Sequence, residues 1–87
     1  MSIPNRPPTP TPYTYLQGQY LAFIHYYTKI NGQPPAHADL QRYFQVSPPS
    51  VHRMLTQLHQ KGLLHKQPGT PRSLTLTIPT HQLPTLD

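Results

Sequence analysis

The chain has 87 residues, of which seven are Lys or Arg and only two are acidic, giving a net charge of +5. That length makes one small domain, and no apolar run approaches the ~20 residues of a membrane helix, so a large enzyme and a membrane span are both excluded. The first residues lack the apolar core of a secretory signal. With no Cys, disulfides and thiolate metal sites are excluded too. A cytoplasmic protein is the expectation.

The charge is unevenly placed. Arg42, Arg53, Lys61, Lys66 and Arg72 follow one another, and no acid lies between Asp39 and Asp87. A segment carrying one sign of charge suits a polyanionic partner, most often nucleic acid.

Residues 1–12 hold five of the thirteen prolines and show no periodicity, which predicts a flexible, extended arm. Residues 13–78 are the folded part. Residues 79–87 read as a flexible tail. The first helix is expected over Thr14–Asn31. Leu16, Tyr20, Phe23, Ile24, Tyr27 and Ile30 fall on one helical stripe and form its core face. Thr14 is a fitting N-cap, and Asn31-Gly32 a stop with Gly in the left-handed conformation. Pro34-Pro35 makes a rigid connector. A short second helix follows, about His37–Phe44, with Ala36 a poor cap and Asp39 in its first turn.

Gln45-Val46-Ser47 is a three-residue turn. Ser47 is a good cap and Pro48 suits the first helical position. The third helix runs from Pro48 to Lys61 and stops at Gly62. Val51, Leu55 and Leu58 make its buried stripe. Leu63–Lys66 and Ser73–Ile78 read as short strands around a turn containing Pro68, Gly69 and Pro71. The fold class is therefore mainly α with a small β-hairpin: a winged helix-turn-helix with a three-helix core and a two-stranded wing.

In that arrangement the third helix is a rod of the right diameter for the major groove of B-DNA. Its Ser47 end would point at the duplex, with free N–H groups available to phosphate. Ser50 and Arg53 are expected to read bases, and Pro49 sits beside them. Ser47, Lys66 and Arg72 are expected on phosphate, the wing pair or the adjacent minor groove. Gln57 lies a turn further from the tip, and His52 is a DNA contact or a cover for the core edge. Arg42 and Lys61 are lesser phosphate candidates.

The pattern Val46-Ser47-x-x-Ser50-Val51-x-Arg53-x-Leu55 resembles the core of many helix-turn-helix regulators. The longer stretch 20–76 resembles the N-terminal DNA-binding domain of the LexA repressor family. Asn31-Gly32-Gln33-Pro34-Pro35, Ala38-Asp39-Leu40, Ser47-Pro48, Ser50-Val51-His52, Lys61-Gly62-Leu63-Leu64 and Pro68-Gly69-Thr70-Pro71-Arg72 carry the likeness. The resemblance implies a sequence-specific, double-stranded DNA-binding transcription regulator of the nucleoid. Ala36, Gln45 and Pro49 depart from the family pattern. The family's self-cleaving domain, with its nucleophilic Ser and Lys base, has no counterpart before Asp87, so a binding module and not a protease is expected. A homodimer or a protein partner on DNA stays open.

Other chemistry finds little support. The six histidines include no i,i+4 pair, and His52 and His59 are about 10 Å apart along a helix, so no metal or other cofactor is expected. Asp39 alone cannot supply paired-carboxylate catalysis. The alternative is a winged helix that docks on another protein without reading bases. Exposed Tyr13, Tyr15 and Tyr26 favour it. Single-stranded nucleic acid, stacked on tyrosines, is a third reading.

Overall fold

The computed structural model describes residues 12–87, so the expected proline-rich arm lies outside the described residues except for Pro12. The chain forms α1 (Tyr15–Asn31), α2 (His37–Phe44), α3 (Pro48–Gln60), β1 (Leu64–His65), β2 (Thr75–Leu76) and a 3-10 turn at Thr80–Gln82. β1 and β2 pair antiparallel, with Leu64 opposite Leu76 and His65 opposite Thr75.

Helix ends follow local chemistry. Thr14 and Gln17 form a reciprocal capping box at α1, and Gly32, at φ +78°, ends it. At α2, Asp39 accepts from the Ala36 N–H at 2.8 Å, which supplies the half of a capping box that Ala36 allows. α3 closes with paired bonds from Gly62 N–H to His59 and from Leu63 N–H to Leu58, with Gly62 at φ +73°. This Schellman closure turns the chain directly into β1.

The core joins all three helices to the wing. Tyr20, Leu21 and Ile24 from α1, Leu40 from α2, and Val51, Leu55 and Leu58 from α3 are buried together with Leu63, Leu64, Leu74 and Ile78. Phe44 and Val46 pack against this cluster, so the turn between α2 and α3 is seated on the core. Tyr20 stacks on Phe44 at 4.1 Å and Phe23 on Tyr43 at 4.4 Å, which ties α1 to α2.

Three expectations need correction. Leu16 and Ile30, placed on the core stripe of α1, are 46% and 78% exposed. Leu21 and Ala22 are buried in their stead, along with Gln17, Gly18 and Gln19. Second, residues 79–87 lie along α1. Gln19 donates to the Thr85 carbonyl and accepts from the Asp87 N–H, each at 2.9 Å. The Tyr13 hydroxyl donates to the Gln82 carbonyl, the Tyr43 hydroxyl to that of Asp87, and the Tyr15 hydroxyl bonds the Asp87 carboxylate. α1 thus has a second buried side, reached through polar groups that a search for apolar periodicity passes over. Third, the wing ladder is shorter than Leu63–Lys66 and Ser73–Ile78. Gly69 at φ +74° and Arg72 at φ +52° turn the chain out of strand geometry. The alternation of Leu74, Leu76 and Ile78 toward the core nonetheless holds.

Candidate nucleic-acid interface

The α3 surface is set by its buried stripe. At about 100° per residue, Val51, Leu55 and Leu58 fix one side as core. Pro49 and Arg53 then lie opposite, with His52 on one flank and Ser50 and Gln57 on the other. Pro49, His52, Arg53 and Gln57 are exposed and Ser50 is half-buried.

At the tip, Ser47 Oγ lies 3.0 Å from Ser50 Oγ and accepts from the Ser50 N–H at 3.4 Å. Ser50 Oγ in turn accepts from Arg53 Nη2 at 3.4 Å. A chain of polar groups at i, i+3, i+6 therefore runs from the cap to the guanidinium. Arg53 keeps its remaining donors, and no acid stands on α3 to hold them. A guanidinium with a free bidentate edge matches the O6/N7 edge of guanine.

The expected supply of free N–H groups at this end is not there. Pro48 and Pro49 have none, and those of Ser50 and Val51 bond the Ser47 carbonyl at 3.0 and 3.2 Å. Beyond Ser47 itself, the first turn of α3 therefore offers an anion side chains rather than N–H groups.

The other candidates fall into two places. Gln57 accepts from Gln17 Nε2 at 3.3 Å, and Lys61 donates to Gln17 Oε1 at 2.7 Å. This flank of α3 is thereby linked to α1. On the opposite flank, His52, Lys66 and Arg72 border one groove of about 550 Å³ together with His37 and the wing turn. Arg72 is engaged inside the protein: its Nη1 donates to the Tyr27 hydroxyl and the Asp39 carboxylate at 3.1 Å and to the Pro34 carbonyl at 3.3 Å. It staples the wing to α1 and α2 through Nη1. Arg42 bonds Asp39 at 2.6 Å from an otherwise exposed position.

Asp39 is the hub of that staple. The Ala36 N–H, the Tyr27 hydroxyl, Arg72 and Arg42 hold its carboxyl below the usual carboxylate range, against partial desolvation. His37, although exposed, is lowered from the ordinary histidine value, first by partial desolvation beside the groove and then by Lys66 and His52. Sequence reasoning missed both groups. Asp39 was legible as the lone acid among the cations of the folded part. His37 was not, because its neighbours lie 15 and 29 positions away along the chain.

Among the described residues, no group of three potential ligands could hold a metal ion, and no helix is long and apolar enough to cross a membrane.

Comparison with known proteins follows the same outline. The family model described as LexA DNA binding domain matches residues 11–73. The LexA repressor of Oleidesulfovibrio alaskensis is 38% identical over 64 residues, which are 74% of this chain and 31% of that protein. The LexA repressors of Thermotoga neapolitana and Thermosipho melanesiensis are 31% and 32% identical over 61 and 60 residues, covering 70% and 69% of this chain. The chain thus spans about a third of the length of the curated relatives it matches. With a capped third helix on an aromatic three-helix core and a short wing behind it, the chain belongs to the LexA DNA-binding domain family.

Proposed function

We propose that this chain is the operator-reading module of a transcriptional repressor, acting in the cytoplasm on nucleoid DNA. α3 lies in the major groove, Arg53 and Ser50 meet base edges, and His52 and Lys66 meet the backbone on the wing side. The observation that carries this reading is the Ser47–Ser50–Arg53 chain on an acid-free, outward-facing helix. Arg72 supports the wing from within, and Gln57 contributes at the α1 flank. The chain binds and does not catalyse.

A single module of this kind buries about 600–1,000 Å² on DNA, so useful specificity calls for two copies on half-sites or a partner protein. Selection from a random duplex pool, followed by sequencing, tests the reading. A recovered motif containing a guanine that loses its preference in Arg53→Ala is the expected result. Recovery of no motif removes the base-reading claim.

A second reading has one specific observation behind it. Tyr26 and Ile30 leave an exposed apolar strip on α1, 40% and 78% accessible. That strip suits a protein partner, and it lies on a different helix from the Ser50–Arg53 edge, so the two surfaces are separable by mutation.

A further inference from the structure

The groove beside the wing gathers positive charge that the fold does not neutralise. His37 stands at the start of α2, His52 on the flank of α3 and Lys66 just beyond β1, and all three border the same opening. Arg72 and Asp39 are the other charged groups near it. They are committed to each other, with Arg72 also bonded to Tyr27 and Pro34 and Asp39 to Ala36 and Arg42. The second acid of the chain, Asp87, is held by Tyr15, Tyr43 and Gln19, none of which borders the groove. A proton on His37 therefore meets Lys66 and His52 with no carboxylate free to offset them, which disfavours the imidazolium. An anion placed among the three reverses that balance.

We propose that this groove seats one backbone phosphodiester of the bound duplex, between His37, His52 and Lys66, and that seating it draws a proton onto His37. The inference rests on the duplex-binding reading above and adds to it a proton as a co-ligand. Free protein holds His37 neutral near pH 7, consistent with the lowered titration of that ring. The complex holds it charged. Affinity then rises as pH falls through the interval between the free and bound titrations.

The linkage has a calculable size. Uptake of one proton changes affinity by at most tenfold per pH unit, so this site tightens binding between pH 7.5 and pH 6 by a factor of up to about 30. Any pH effect arising elsewhere in the chain is common to the wild type and a His37 variant. The diagnostic quantity is therefore the difference between the wild type and His37→Gln at the same salt concentration.

The test uses the full 87-residue chain and a duplex recovered by selection, with affinity measured by fluorescence anisotropy from pH 6 to 8. The expected result is a steeper pH dependence in the wild type than in His37→Gln, by the factor above, with the two proteins converging at pH 8. In parallel, NMR titration of the His37 ring in the wild type is expected to midpoint at higher pH with duplex than without. Equal slopes in the two proteins, or an unmoved His37 titration, overturn the proposal while leaving duplex binding intact. Absence of duplex binding at every pH overturns the underlying reading, and this one with it.

Discussion

Replacement of Gln45 by Gly tests how the turn between α2 and α3 is built. Gln45 closes α2 at φ +57°, ψ +49°, in the left-handed region. The conformation is required, because the next residue must return its N–H to the Gln41 carbonyl at 3.2 Å while Val46 drops onto the core. An L-residue there costs ~1–2 kcal/mol relative to right-handed geometry. Gly avoids that cost but adds unfolded-chain freedom worth ~0.5–1 kcal/mol. The Gln45 side chain donates to the Arg42 carbonyl at 3.3 Å in an exposed setting, so its loss matters little. The net expectation for Gln45→Gly is a gain of about 0.5–1 kcal/mol, or a rise in Tm of roughly 2–8 °C for a domain of this size. Gln45→Val moves the other way, since a β-branched side chain is least tolerant of positive φ. Thermal unfolding followed by circular dichroism measures both. A Gln45→Gly protein less stable than the wild type, or a Gln45→Val protein equal to it, would refute the reasoning.

Four further outcomes are expected. Leu55→Ala removes a fully buried side chain where α3 meets the core, and should destabilise by ~2–5 kcal/mol in urea unfolding. Asp39 is depressed in the folded state, so its contribution is present above the unfolded carboxylate value and is lost as pH falls through the folded one. Asp39→Asn should therefore lower stability at pH 7 and flatten the loss on acidification, as followed by melts between pH 7 and pH 2. On DNA, Lys66→Ala should weaken binding to all sequences alike and reduce the salt slope by about 1, whereas Arg53→Ala should cost about 1–3 kcal/mol on the selected sequence and relax one base position. Binding isotherms at several salt concentrations separate these two effects.

Much of this protein was legible before its coordinates. Stops and caps are local chemistry, so Thr14, Gly32, Ser47, Pro48 and Gly62 announced four helix boundaries directly. The Val51–Leu55–Leu58 stripe needed only a 3.6-residue period. What escaped was everything that depends on chain segments meeting from afar. Apolar spacing favoured Leu16 and Ile30, but packing leaves both exposed and buries Leu21 and Ala22. A proline-containing terminus reads as a tail when its anchors are Gln19, Tyr13 and Tyr43, since polar side chains give no periodic signal. The internal bonds of Arg72 could not be read from the sequence because their acceptors, on Tyr27, Pro34 and Asp39, are 33 to 45 residues away. The pair of prolines after Ser47 was read as suiting the helix start and departing from the family pattern, while free N–H groups were still expected there. Ser50 and Arg53 could be placed on the outer half of α3 from the period alone, and their bond to each other follows from i,i+3 spacing.

The central claim is that the outer edge of α3 meets duplex DNA, and amide and side-chain NMR shift mapping on a selected duplex tests it most directly. The account predicts the largest perturbations at Ser50, His52, Arg53 and Lys66, with Tyr26 and Ile30 unmoved. Perturbations concentrated on the α1 strip, with the Ser50–Arg53 edge silent, would contradict it.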